Sequence, residues 1–364
     1  MLIDELDTPA LLVEKSRLQG NLNRYAAMAK EAGVSLRPHV KTHKTLEIAR
    51  AQLEYGSPGL TVAKLSEAAV YVEAGFRDIF VAYPVVGEQK CQRAVELNRR
   101  ARVAVGADSV AGVRGLGRAA KAGGVTVEVL VELDSGLGRS GTSVEALKCV
   151  CAEVMAHDQL RLGGLFTFRS TAFPGSSKMS VEEMGREEGM LLTTAADSLR
   201  AEGFSVRVVS GGSTPTAASV SVVAGVTEVR PGTYVFQDLM TRADGACRTE
   251  DLALTVLTTV VSRPRASLAI TDAGSKTLAG DVELGGASLR CLAETLDGRG
   301  RTIWLNEEHG ALELAGGWSP EVGERVRLVP AHVCTVVNLA DELVVVDGEE
   351  VVGTWRVAAR GCNK

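Results

Sequence analysis

The sequence predicts an α/β fold: a closed (β/α)8 barrel of the TIM type followed by an all-β domain. Three observations carry this. Over the first two-thirds of the chain, short apolar runs alternate with helix-like stretches, eight times in series. The runs are almost continuously apolar, as strands buried on both faces are. After about residue 246 the helical pattern stops, and short strands separated by Gly, Asp and Pro take over. Eight strand–helix units favour closure into a barrel; an open, doubly wound sheet is the runner-up.

The barrel strands are read as "VSLRPHV" (34–40), "GLTVA" (59–63), "DIFVAYP" (78–84), "ARVAVG" (101–106), "VTVEVLVELD" (125–134), "LGGLFTF" (162–168), "FSVRVVSGG" (204–212) and "VTEVRPGTYVF" (226–236). Helix-like stretches at 44–55, 64–75, 87–99, 109–122, 142–157, 180–202 and 213–222 lie between them. "TPALLV" precedes a further helix at about 15–32. The expected domains are a barrel over 9–245 and a β domain over 246–364, joined by residues 1–8. The β domain runs from "LALTVLTTVVSRP" through "SLRCLAE" and "RVRLVPAHVCTVVNL" to "ELVVVDGEEVVGTWRVAA".

Composition narrows the function. The formal net charge is -5, against the basic surface that non-specific nucleic-acid binding needs. No apolar run reaches membrane-spanning length, and the opening "MLIDELDTPALLVEK" carries acids where a secretory leader carries basic residues. Seven cysteines without a C-x-x-C pair suit reduced thiols. A cytoplasmic protein that binds neither nucleic acid nor membrane is expected. Cys149 and Cys151 are two apart on a helix and do not share a face.

Four stretches carry possible chemistry. "RPHVKTHK" (37–44) places Arg37, His39, Lys41, His43 and Lys44 at the C-terminal end of a barrel strand, where catalytic groups of such barrels sit. If the strand continues, His39, Lys41 and His43 share one face. Desolvation and neighbouring cations would then make Lys41 an available amine. A solvated loop is the alternative. "VVSGGSTPTAAS" (208–219) runs from a strand through glycines into a helix, a place where backbone N–H groups can meet a phosphate. A plain capped turn is the alternative here. It follows the seventh strand, where barrels often hold phosphate. Tyr234, in "EVRPGTY", follows the eighth strand.

In "PAHVCTVVNLAD", His332 and Cys334 are two apart and would project from one face of a strand. Imidazole plus thiolate suits Zn2+, in an open site completed by water or substrate. In "VELDSGLGRSG" (131–141), Arg139 is placed to meet a ring oxygen or a carboxylate, unless the segment is only a turn held by Asp134.

Taken together and in order, "TPALLV", "RPHVKTHK", "ELDSGLGRSG", "SGGSTPT", "EVRPGTYVF" and "PAHVCTVVNL" resemble the D-threonine aldolase and D-serine dehydratase family. These are pyridoxal-phosphate enzymes with an alanine-racemase-like barrel (fold type III) and a C-terminal β domain. The resemblance spans nearly the whole chain. It implies that Lys41 carries pyridoxal 5'-phosphate, and that Gly211, Gly212, Ser213 and Thr214, with Tyr234, hold the phosphate. Arg139 is implied near the ring and in catalysis, His332 and Cys334 as the metal pair. His39 and Ser210 are counted with the cofactor residues. The cysteine is the dehydratase-like, zinc-binding version; the aldolases typically carry an acid there.

One stretch departs from the family. "GLFTFRSTAFPG" (164–175) has Phe168 where an aromatic or His precedes Gly-His, followed by Arg169-Ser170-Thr171. Phe168, Arg169 and Asp238 are the candidate substrate contacts, with Arg169 either binding an extra anionic group or lying on the surface. The implied activity is dehydration of a D-β-hydroxy amino acid to a keto acid and ammonia, by a homodimer. Retro-aldol cleavage to glycine and an aldehyde is the first alternative. Racemisation is the second, but all five tyrosines precede the β domain, where the racemases carry a second base. A non-catalytic cofactor carrier is the third; it would need neither the β domain nor the His332–Cys334 pair.

Overall fold

A computed structural model describes residues 1–171, 179–282, 289 and 291–364. Residues 172–175 of the departing stretch, and 288 and 290 of "SLRCLAE", lie outside the described residues. The chain divides into two units. One comprises Tyr25–Lys41, Ala49–Gly232 and Cys362–Lys364; the other comprises Met1–Arg24, Thr42–Ile48 and Thr233–Gly361.

The first unit holds eight parallel strands: Ser35–Leu36, Leu60–Val62, Asp78–Pro84, Arg102–Ala107, Val127–Glu132, Leu160–Phe166, Val208–Gly211 and Glu228–Val229. Each pairs with its neighbour in sequence, and the last pairs with the first. The remaining seam, between the first two strands, is bridged by His39 and Thr61, and Thr61 N–H donates to the Pro38 carbonyl at 2.8 Å. The sheet therefore curls into a TIM-type barrel. Helices follow the strands, and their ends are written in the sequence. Ser109 caps Val110–Gly123, and left-handed Gly124 ends it; a Ser180/Glu183 capping box opens Val181–Ala201.

Side chains alternate along strands, which puts Glu128, Leu130 and Glu132 on one face. Leu130 clusters with Phe80, Ala104 and Phe166, so that face is the barrel interior. Phe80 and Phe166 meet edge to face at 5.0 Å. Below this apolar layer, charged side chains link strand to strand. Arg37 binds Glu228 and Asp78, Arg102 binds Asp78 and Glu128, and Arg207 binds Glu128. Burial works against the charge on Arg37, but Glu228 and Asp78 outweigh it and raise its pKa. Arg37 thus belongs to the barrel floor.

The second unit is a nine-stranded sheet. Strand Ala10–Glu14, counted with the barrel in the sequence reading, is an interior strand of it, between Leu254–Arg265 and Glu342–Asp347. Its central residues Leu11, Leu12 and Val13 are buried, and Leu12 packs with Ile3, Leu257, Val344 and Val346. The unit is not purely β, because the helix Val333–Leu339 interrupts the expected strand through "PAHVCTVV".

Candidate active site

In the barrel unit, "RPHVKTHK" is not a continued strand. The assigned strand ends at Leu36, Arg37 and His39 N–H still donate to the Val229 and Pro231 carbonyls at 2.9 Å, and Val40–Thr42 form a 3-10 turn. The alternation that put His39, Lys41 and His43 on one face does not apply. The backbone stays extended as far as His39, and the 3-10 turn that begins at Val40 is what ends the alternation. The stretch instead divides at Lys41, with Thr42, His43 and Lys44 in the other unit. His43 is fully buried and bonds with Thr45, and Lys44 donates to Asn338 at 2.8 Å. Lys41 N–H approaches His39 Nδ1 at 3.5 Å.

Three candidates from distant parts of the sequence meet here. The Phe168 ring centroid lies 5.7 Å from Lys41 Nζ and 4.6 Å from the Arg139 guanidinium. Phe168 is held by its carbonyl, which accepts from Ser135 Oγ at 2.8 Å. The Arg139 loop is shaped by Asp134, which accepts from the N–H groups of Gly136 and Gly138. Arg169 is turned to Glu187, at 3.0 Å, and its side chain is only 11% exposed, so an acid of this chain already meets its charge.

In the Gly211–Thr214 loop, the N–H groups of Gly212 and Ser213, expected to face a phosphate, are met by acceptors of the protein itself. A side chain at Gly211 would place Cβ 2.9 Å from Leu192 Cδ1, and Gly212 has φ +78. Neither position accommodates another residue without movement. Gly212 N–H donates to Glu188 Oε1 at 2.9 Å, and Ser213 N–H donates to Thr216 Oγ1, which donates to Glu188 Oε2. Tyr25 donates to the Thr214 carbonyl at 3.0 Å. The loop is thus shaped in advance by protein groups. Ser210 is fully buried, and its hydroxyl joins Glu228 and Arg230.

Sequence reasoning missed Glu188 and Arg230. Burial pushes the Glu188 carboxyl up to about 7, against the pull of Gly212 N–H, Arg230 and Thr216. Burial also lowers the Arg230 pKa, opposed by Glu228, Glu188 and Glu132. Arg230 donates to Ser210 Oγ and the Thr167 carbonyl, with Phe80 and Phe166 against its guanidinium at 5.9 and 5.4 Å. The available signals were a Glu inside the apolar face of an amphipathic helix and an Arg just beyond a strand.

In the β unit, His332 caps the helix Val333–Leu339 and Cys334 lies in its first turn, so the two are brought together by a helix start and not by strand alternation. Cys334 Sγ lies 3.2 Å from Thr42 Oγ1 and 3.8 Å from Thr233 Oγ1. Burial works against a charged His332, but bonds to Asp281 and Cys334 raise its pKa to about 11. Imidazole and thiolate side by side are a donor set for a soft or borderline divalent metal. No group of three or more His, Cys, Asp or Glu ligands forms among the described residues. Asp238 is buried; it accepts from Thr241 N–H and from Val333 N–H, which positions the helix next to His332. Burial raises its pKa. Tyr234 is buried in a 3-10 turn of this unit. Gln237 is fully buried at φ +57, and neither of its amide atoms has a hydrogen-bond partner among the described residues.

Fold and site define the class: a TIM-type barrel with a lysine amine and a glycine loop after its seventh strand, and a β unit with a metal-type donor pair. Comparison with known proteins agrees. The model of the alanine racemase N-terminal domain matches residues 13–239, and that of a putative serine dehydratase domain matches 253–346. The chain belongs to this alanine-racemase-like family, with its serine-dehydratase-type second domain. It is 34% identical to the D-threo-3-hydroxyaspartate dehydratase of Delftia sp. (strain HT23), over 90% of this chain and 91% of that one. It is 32% identical to the D-threonine aldolase of Arthrobacter sp., over 99% and 94%. Among solved structures, a cysteine-to-alanine mutant of D-threo-3-hydroxyaspartate dehydratase in the metal-free form superposes with a TM-score of 0.88, at 31% identity, covering 98% of each chain. No helix among the described residues is long and apolar enough to cross a membrane.

Proposed function

We propose that this chain is a pyridoxal-phosphate-dependent lyase that dehydrates a D-β-hydroxy amino acid to a keto acid and ammonia. The observation that carries the reading is the meeting of Lys41, Phe168 and Arg139 in the barrel unit. Lys41 would hold the cofactor covalently, Gly211–Thr214 its phosphate, and Arg139 its ring side. His39 and Ser210 would support it from the barrel, and the family resemblance adds Tyr234 to the cofactor residues. Bound pyridoxal phosphate supplies an electron sink for charge that develops at the substrate Cα. His332 and Cys334 would hold a divalent metal, zinc by their donor chemistry, which supplies a Lewis acid for the substrate hydroxyl.

The chain's own groups then have distinct tasks. Lys41 Nζ is the base for the Cα proton. The Phe168 ring keeps the Lys41 and Arg139 cations at fixed positions beside it. In the net reaction the Cα–H and Cβ–O bonds break and water leaves. The released enamine tautomerises, and a second water hydrolyses it to keto acid and ammonia. Asp238 acts through the helix that carries the metal pair. The thiolate ligand supports dehydration over aldol cleavage. The identity to an aldolase makes retro-aldol cleavage the second reading. A homodimer in the cytoplasm completes the proposal, on the family resemblance.

The test is spectroscopic first. Protein supplied with pyridoxal phosphate should show a visible absorbance band that Lys41→Ala loses; a full band in that variant removes Lys41 from its role. D-serine, D-threonine and D-3-hydroxyaspartate are then assayed for keto acid and for glycine. Glycine as sole amino product would replace dehydration by the aldol reading. Light scattering reads the oligomer.

A further inference from the structure

His332 is held on its far side. Its Nδ1 lies 2.7 Å from Asp281 Oδ2, although the two residues are 51 apart in sequence. The same carboxylate oxygen accepts the Thr335 hydroxyl at 2.7 Å. Thr335 lies on the helix that His332 caps, so the carboxylate is fixed to the helix at two points.

An imidazole can bind a metal through one nitrogen only when that nitrogen is unprotonated. A carboxylate that takes N–H from the other nitrogen fixes this tautomer, fixes the ring plane and makes the ligand more basic. We propose that Asp281 is the positioning residue of the metal centre: it takes the proton of His332 Nδ1, so that Nε2 is the metal-binding nitrogen. A site with two protein ligands gains most from such a clamp, and among the described residues no group of three or more His, Cys, Asp or Glu forms there. The Asp281 charge also adds to that of the Cys334 thiolate in balancing a divalent cation. Thr335 is the second anchor, since it stops the carboxylate from turning away.

This inference rests on the reading of His332 and Cys334 as metal ligands, and the experiment separates the two. Purified wild type, Asp281→Asn, Asp281→Ala and Thr335→Val are stripped with a chelator. Their Zn2+ and Co2+ affinities are measured by competition with a chromophoric chelator. The visible band of bound pyridoxal phosphate serves as the control for folding. Asp281→Ala should bind metal 10- to 100-fold more weakly. Asp281→Asn keeps a carbonyl acceptor for Nδ1–H and should lose less, and Thr335→Val less again. At saturating Co2+ the thiolate-to-cobalt band should keep its position in all variants. Unchanged affinity in Asp281→Ala overturns the proposal. So does a common shift of the cobalt band in both Asp281 variants, because Asp281 is then itself a ligand. If His332→Ala and Cys334→Ala bind metal as wild type does, the metal pair has been misassigned and the clamp goes with it.

Discussion

The Arg139 guanidinium lies 4.6 Å from the centroid of the Phe168 ring, and Lys41 Nζ lies 5.7 Å from the same centroid. One aromatic ring thus serves two cations. A ring quadrupole attracts a cation by about 0.5–2 kcal/mol depending on desolvation. Phe168→Leu keeps most of the volume and removes that attraction. The expected result is a kcat/KM lower by roughly 3- to 30-fold, at about tenfold per 1.4 kcal/mol, with the cofactor band retained. Kinetics beside absorbance spectra check it; wild-type kcat/KM in this variant would show that Phe168 only fills space.

Glu188 makes stability depend on pH. Its carboxyl titrates at about 7 in the folded chain, against 4.5 as the ordinary value. Between these two values the folded chain keeps a proton that the unfolded chain has released. Stability therefore falls as pH rises through this window, and changes no further above it through this group. The total is about 3 kcal/mol, at about 1.4 kcal/mol per pH unit. Glu188→Gln keeps an acceptor for Gly212 N–H and has no such titration. The unfolding free energy of wild type relative to Glu188→Gln should decline from pH 5 to 7.5. Parallel profiles from denaturant titrations would contradict this.

Much of the site was legible because its chemistry is local. The glycines at 211 and 212 and the lysine at 41 follow strands whose apolar runs are plain in the sequence. The helix start at His332 was not legible, because His332 and Cys334 read equally well as one face of a strand, and only the end of the strand at Pro330 separates the cases. The place of Ala10–Glu14 was hidden for a different reason. An apolar strand before a helix looks the same whichever sheet it joins, and its partners lie more than 240 residues away in Leu254–Arg265 and further still in Glu342–Asp347. Glu188 and Asp281 act through partners remote in sequence, which no spacing rule reaches.

Metal removal gives a separable prediction. The proposed cofactor residues and the His332–Cys334 pair contribute different chemistry. Exhaustive chelation should therefore abolish dehydration of the substrate and leave the cofactor band of the lysine-bound group in place. Adding Zn2+ back should restore at least half of the rate. A chelated enzyme that works at its original rate would remove the Lewis acid from the proposal.

The Arg230 guanidinium is buried at 7% exposure, near the rings of Phe80 and Phe166, and tied to Ser210 and Thr167. Glu228, Glu188 and Glu132 all favour its charged form, while burial opposes it. Removing one side of such a buried cluster leaves carboxylates uncompensated, a loss of about 3–5 kcal/mol. Arg230→Met fills much of the space but leaves that charge unbalanced, so it should lower stability by this amount at pH 7. Losing the cation also raises the Glu188 pKa further, so the deficit should shrink as the pH is lowered towards 5 and the acids take up protons. Arg230→Lys keeps the charge but loses the planar fork that meets Ser210 and Thr167 together, and should fall between the two. Denaturant unfolding of the three proteins at pH 5 and pH 7 reads all of these effects. A loss in Arg230→Met that is small at both pH values would mean that the barrel interior carries its acids neutral, and that Arg230 balances none of them.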